Sequence, residues 1–277
     1  LASFAYATED VHEHPGILQQ GRYHVVVGNP PYITVKDKKL NELYRELYDA
    51  CAGKYALSVP FAQRFFELAK RGDADGHGRG MVGQITSNSF TKRDFGARLI
   101  EYFFARVVEL AEVIDTSGAY IPGHGTPTVI IVGKRKASRI SPLVRTVRGV
   151  QGEPAAPERG SRGHVWAAIQ DQIDKPGSVS PWVSVDDLER TRFFDSHPWV
   201  LSDGGRELID GLDRNAGGRL EELVSAIGMT ALTLEDDAFV APRPYGDRGG
   251  LSVSCVYMVN GDEVRDFNLG YPDYVFM

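Results

Sequence analysis

Cysteine is nearly missing from this chain of 277 residues: Cys51 and Cys255 are the whole supply. Two thiols this far apart make neither a disulfide framework nor a zinc-ligand spacing, which fits a reducing compartment and points to the cytoplasm. Long apolar runs are missing too. Hydrophobic residues make up 42% of the chain, yet no run approaches the roughly 18 residues of a membrane-spanning helix, so no membrane is expected as a partner. The start carries no basic, apolar and small-residue succession of a secretory leader. It also lacks Met, since Leu1 comes first, and the expectation is a piece of a longer protein. His12, Glu13 and His14 have no further ligand at a useful spacing; they read as solvated loop, and no metal site is expected. The Gly- and Asp-rich run 72–80 lacks the closing Glu of a calcium loop. Asp94-Phe95-Gly96 matches a kinase tripeptide, but no glycine-rich or catalytic loop accompanies it.

Positive charge is scarce in one half only. Residues 1–150 carry 20 Lys and Arg against 15 Asp and Glu, and residues 151–277 carry 11 against 22. A nucleic-acid partner is easier to place on the first half. The acidic second half argues against a grip on DNA by this chain alone, because neutralised phosphates supply most non-specific affinity.

What is there begins with Val25-Val26-Val27-Gly28-Asn29-Pro30-Pro31-Tyr32. Three β-branched residues predict a buried strand of a parallel sheet. Two prolines then fix φ and remove two backbone donors, so the chain leaves the sheet on one rigid path. Asn29 offers a carbonyl acceptor, and Tyr32 a flat ring with a polar tip. The carboxyl end of a strand is where open α/β sheets bind ligands. This set suits transfer to a planar amine, a poor nucleophile because its lone pair is delocalised. The Asn29 and Pro30 carbonyls can accept its two N–H groups and favour the charge that develops on nitrogen, while Tyr32 stacks on the ring. The bland alternative is a strand ending in a Pro-Pro turn with a surface tyrosine.

Further on, Leu40, Leu43, Tyr44 and Leu47 recur at helical spacing through about residue 50. Ser58 and Pro60 open a second helix, with Phe61, Phe65 and Phe66 on its apolar face and Gly72 beyond its end. Residues 81–86 read as a strand, and Ser87 to Phe90 as the turn into a helix from about Lys92 to Ala105. Residues 107–114 and 126–133 read as two strands whose short link forces antiparallel pairing; Tyr120 to Gly125 form the tip. Residues 149–163, rich in Gly, Pro, Glu and Arg, read as a linker or mobile loop. Val165 to Ile169 then reads as a strand. Trp182, Phe193, Phe194 and Trp199 read as core anchors, and 205–213 and 220–224 as short helices. The charged run Lys36-Asp37-Lys38-Lys39 is a solvated face or a set of phosphate contacts.

Asn29 to Tyr32 resembles the fourth motif of the S-adenosylmethionine-dependent amino-methyltransferases, which modify adenine, less often cytosine, in DNA, or a glutamine amide in protein. Bacterial adenine methyltransferases look similar in four places: this motif, the helix with Pro60 and Phe61, the segment Gln84 to Phe90, and Gly125 to Ile130. The wording of Lys54 to Phe61 most resembles the PglX-type methyltransferases of BREX phage-defence systems. The resemblance implies an α/β fold: the carboxyl-terminal half of a Rossmann-like methyltransferase sheet with an antiparallel edge hairpin, followed by an α+β segment. The domains would be a partial catalytic domain over 1–148, the linker 149–163, and, over 164–277, a connector and the start of a target-recognition domain. That last match rests on 227–230, 237–240 and 259–265. The implied activity is methyl transfer from S-adenosylmethionine to adenine N6 in double-stranded DNA, the base flipped out of the duplex, alongside other defence-system proteins. Asn29, Pro30, Pro31 and Tyr32 would be catalytic. Phe61 would line the cofactor's adenine, and Tyr120 would be the second aromatic at the flipped base. Lys36, Lys38, Lys39, Lys92 and Arg93 are the phosphate candidates.

One departure is large. The family's glycine-rich cofactor motif stands farther upstream than 28 residues, so the chain alone is expected to be inactive and to bind S-adenosylmethionine weakly or not at all. Rival readings are the same fold acting on cytosine N4 or on a glutamine amide, and a non-catalytic DNA-binding or scaffold piece.

Overall fold

In the computed structural model, Val25–Gly28 forms strand β1, and Met81–Ser87 forms β2 in parallel register beside it, Val25 opposite Met81 and Gly28 opposite Gln84. The structure describes residues 13–123, 125–218, 220–226, 236–250, 254–259, 264–265, 268–269 and 273–276. The chain between β1 and β2 makes two helices, α1 over Lys38–Leu47 and α2 over Ser58–Leu68. Asp37 starts α1 by accepting the Leu40 N–H at 2.9 Å, the usual way a short polar side chain satisfies a first-turn donor.

After β2, a 3₁₀ turn over Asn88–Thr91 precedes a helix, α3, wound as a π-helix over Arg98–Phe104 and as an α-helix over Ala105–Val107. The expected start near Lys92 is too early. Gly96 packs so closely on the Phe90 carbonyl that a Cβ there would lie 1.8 Å from its oxygen. The chain must complete that close turn before a helix can run.

Strands β3 (Val108–Asp115), β4 (Thr128–Arg135), β5 (Leu143–Gly149) and β6 (Val183–Glu189) complete a mixed sheet, six-stranded among the described residues, in the order β1-β2-β4-β3-β5-β6. The hairpin β3–β4 is antiparallel, as its short link requires. Its returning strand does not form an edge: β4 is inserted between β2 and β3, antiparallel to both. The edges belong instead to β1, which among the described residues pairs with β2 alone, and to β6, which pairs antiparallel with β5. Val25 and Val27, which share one face of β1, are 60% and 77% exposed, where the run of valines predicts burial. With β4 reversed, the carboxyl ends of β1, β2, β3 and β5 share one side of the sheet.

Two apolar clusters cover the two faces. Phe66, Phe90, Phe103, Phe104, Phe194 and Trp199 belong to one; Trp199 stacks on Phe104 and meets Phe90 edge-on at 5.5 Å. Ile114, Val147, Val165, Ile169, Val183 and Val185 form the other. Its helix α4, His164–Gln172, stands where a strand is expected over 165–169. Val165 and Ile169 are one helical turn apart and both buried, a spacing that serves a helix face as well as a strand. Glu153 fixes the start of α4, its carboxylate accepting the His164 and Val165 N–H groups at 2.9 and 3.0 Å.

The expected boundary at 149–163 does not divide the structure, because β6 pairs along β5 from Leu143 to Gly149 and carries the sheet past it. The chain separates into Leu1–Arg214 and Asn215–Met277. The second unit contains short helices over Leu220–Leu223, Asp236–Phe239 and Arg243–Arg248 and a three-stranded antiparallel sheet of Val240–Pro242, Tyr274–Phe276 and Val256–Met258. Of the segments compared with a target-recognition domain, 227–230 and 260–263 lie outside the described residues.

Glu109 on β3 ties the sheet to the loops at its other end. Burial alone would push its carboxyl up. The Ser141 N–H, the Arg79 guanidinium and the Arg190 charge outweigh burial and hold it below its ordinary 4.5. Its folded proton affinity is thus lower than in the unfolded chain. Its contribution is complete above the ordinary value and is lost as pH falls through the folded one. Glu109→Gln should cost about 1.5–3 kcal/mol at neutral pH, the worth of hydrogen bonds to a charged group. Thermal melts at neutral and acid pH check this: the gap between parent and variant should shrink in acid. An equal gap at both would assign Glu109 a purely steric role.

Candidate active site at the carboxyl end of the sheet

Gly28 ends β1 where α2 crosses it. A Cβ at Gly28 would lie 2.4 Å from the Phe65 ring, so the strand end and the helix touch because that side chain is missing. Asn29 follows, exposed, then Pro30, buried, and Pro31, exposed. The Tyr32 hydroxyl donates to Asn29 Oδ1 at 2.6 Å. Burial raises the Tyr32 phenol above its ordinary 10.0, so at neutral pH it remains a donor. The bond locks the Asn29 carbonyl across two residues that cannot donate from their backbone. Sequence reasoning assigns Tyr32 a stacking ring; the hydroxyl contact is an added role, signalled only by the three-residue spacing of the two side chains.

Phe61 projects from the first turn of α2, 38% exposed, its ring edge-to-face with Phe65 at 5.8 Å. Phe65 in turn lies on Gly28, the residue before Asn29. At the neighbouring strand end, Ser87 Oγ accepts the Ser89 N–H, and Asn88 N–H donates to the Pro127 carbonyl at 3.0 Å. That bond joins the β2 turn to the loop between β3 and β4. Tyr120 rides on this loop, 37% exposed. The loop base is clamped by the buried hydroxyl pair Thr116 and Thr128, 2.8 Å apart.

The candidate phosphate contacts separate. Lys36 and Lys38 line a cavity of about 430 Å³ together with Arg45 and Lys54. Arg93 lines a second, of about 580 Å³, again with Lys54. Lys92, its sequence neighbour, faces a third, of about 270 Å³, with Arg148 and Trp199. Lys39 is exposed on α1 and lines none of these three. Arg45 and Lys54 are the residues that sequence reasoning missed; neither lies in a charged run. Among the described residues no three His, Cys, Asp or Glu side chains converge as a metal site would require, and no helix is long and apolar enough to cross a membrane.

Residues 3–121 match the Eco57I restriction-modification methylase family. The whole chain is 62% identical to the adenine-specific methyltransferase PglX of Streptomyces coelicolor, aligned over 278 residues and spanning 23% of that protein's length. Among solved structures, a modification subunit of a putative type I restriction enzyme from Vibrio vulnificus is similar over 67% of this chain and 36% of its own, at 14% identity and a TM-score of 0.46. A type I methyltransferase subunit from Streptococcus thermophilus is similar over 61% and 35%, at 11% identity and a TM-score of 0.42. The resemblance to the restriction-modification adenine methylases is therefore shown, by the family match over residues 3–121 and by 62% identity along the entire chain.

Proposed function

We propose that this chain is part of an enzyme that methylates the N6 amine of adenine in DNA, in restriction-modification or phage defence. The observation that carries the reading is the Asn29 carbonyl, held by the Tyr32 hydroxyl at the carboxyl end of β1. An amide oxygen has two lone pairs. Tyr32 occupies one and leaves the other for an amine N–H. The Pro30 carbonyl is the candidate acceptor for the second N–H. The two together set the amine's orientation and stabilise the positive charge that grows on its nitrogen during attack. The base must leave the duplex to reach them, and the Tyr32 ring supplies the face on which it stacks. No strong base is required, since the nitrogen acidifies as it is methylated and its proton passes to water.

S-adenosylmethionine, when bound, supplies the electrophilic methyl carbon on a sulfonium centre. The residues here fit one side of it: Phe61 offers an exposed ring, braced by Phe65, for the cofactor's adenine. Mass spectrometry of nucleosides from DNA treated with the intact protein and cofactor should find N6-methyladenine. N4-methylcytosine alone, or an unmodified digest, would sink the reading.

Asn29→Ala should abolish methyl transfer in the intact protein and leave DNA affinity nearly unchanged, because the carbonyl acts on the transferring amine while phosphate contacts dominate affinity. Substantial methylation at saturating cofactor would remove Asn29 from this role.

Tyr32 should show two separable effects. Tyr32→Phe keeps the ring and loses the bond to Asn29, worth about 0.5–1.5 kcal/mol, so the transfer rate should drop roughly 2- to 12-fold. Tyr32→Ala also loses stacking worth about 1–3 kcal/mol per base, a further fall of roughly 5- to 150-fold in correctly seated base. Rates with both variants, and 2-aminopurine fluorescence at the target position, measure the two. A Tyr32→Phe enzyme as fast as the parent would show that the hydroxyl contact is idle.

A further inference from the structure

Beyond Tyr32 the chain runs antiparallel to residues 54–57. The Leu57 N–H donates to the Ile33 carbonyl at 2.9 Å, and Thr34 bridges Ala56. The 430 Å³ cavity opens at Thr34, two residues from Tyr32, and Lys36, Lys38, Arg45 and Lys54 line it. The 580 Å³ cavity continues from Gly53 and Lys54 to Arg93. Gly53 and Lys54 line both cavities, so this turn is the wall they share.

The turn is built to present Lys54. Gly53 has φ of +62°, a conformation that L side chains rarely adopt. Arg45 Nη2 donates to the Gly53 carbonyl at 2.6 Å and fixes it from α1. Lys54 itself is exposed, as are Lys36, Lys38 and Arg93. Two carboxylates, Glu42 and Asp94, also line the groove, against five cations. Cations on long exposed stems suit phosphate oxygens, which need charge and little shape, better than base edges, which need fixed donors and acceptors.

We propose that these two adjoining cavities act as one groove, across Lys54, for the phosphate backbone of the DNA strand that carries the target base, with Lys36, Lys54 and Arg93 as its contacts and Arg45 as the residue that positions Lys54. DNA as the occupant rests on the methyltransferase reading; the groove's geometry does not. The strand would pass from the base held at Asn29 and Tyr32 along the 34–57 path towards Arg93.

Counter-ion release gives the test. The slope of log affinity for duplex DNA against log salt shrinks by about 0.9 for each phosphate that the protein no longer neutralises. Fluorescence anisotropy with a labelled duplex, across a salt series, should show slopes reduced by about 0.9 for Lys36→Gln and Lys54→Gln in the intact protein, and by about 1.8 for the pair. Lys54→Arg keeps the charge and should restore the parent slope. Lys70→Gln, beside His24 before the start of β2, should leave it unchanged. Circular dichroism melts confirm that the variants fold. Parent slopes in both Gln variants, or a parent that does not bind the duplex, would overturn the groove. Failure of the parent to methylate adenine with these slope changes intact would overturn the methyltransferase reading and leave the groove standing.

Discussion

The insertion of β4 between β2 and β3 is the constraint on which the rest of the first unit depends. Seven residue pairs bind it to β2 from Met81–Lys134 to Ser87–Thr128. On its other side the register with β3 shifts between Leu110 and Glu112. Gly133 stands at that shift, and a Cβ there would lie 2.8 Å from the Glu109 carbonyl oxygen. A bulge strengthens local twist, and here it falls on the β3 side of β4 alone. Because β4 arrives from the carboxyl side, the loop ahead of it is brought to the turn after β2. The Asn88–Pro127 bond and the Thr116–Thr128 pair are consequences of that direction. So is the presence of Tyr120 on the same side of the sheet as Asn29.

At the site itself, rigidity comes from missing groups as much as from bonds. Gly28 has no Cβ, so Phe65 reaches the strand end; Pro30 and Pro31 have no N–H, so the backbone there cannot seek other partners. The Tyr32 hydroxyl then holds the Asn29 side-chain carbonyl, the proposed acceptor for the target amine. Holding a carbonyl in place before the substrate arrives lowers the reorganisation needed during reaction, which is where preorganised dipoles gain most over water. Asn29 and Phe61 are both exposed, so neither side chain is spent on the core.

Much of this was legible in the sequence because it is local. A valine run followed by Asn-Pro-Pro-Tyr encodes its strand and the strand's abrupt end within eight residues, though not the exposure of Val25 and Val27. The antiparallel pairing of β3 with β4 also follows from a local quantity, the length of the link. What was not legible depends on distant partners. Whether β4 lies at an edge or inside is decided by β2, which pairs with the side of β4 that the hairpin leaves open. Val165 and Ile169 fit a strand or a helix by spacing alone, and Glu153, eleven and twelve residues ahead of the N–H groups it caps, tips the balance. The run 149–163 has a linker's composition, yet that same glutamate binds it down. Lys54 is a single lysine in an apolar stretch, and only the turn at Gly53 and its tie to Arg45 place it beside Lys36.

The charge distribution acquires a physical meaning from these positions. The net charge of −6 would suggest repulsion from a polyanion. Screening limits that repulsion, since at physiological salt exposed charges act over about 8 Å. Over that range the relevant potential is set by local side chains, and around the 34–57 path these are mainly Lys and Arg. A chain can therefore be acidic as a whole and still present a cationic groove beside its candidate catalytic loop.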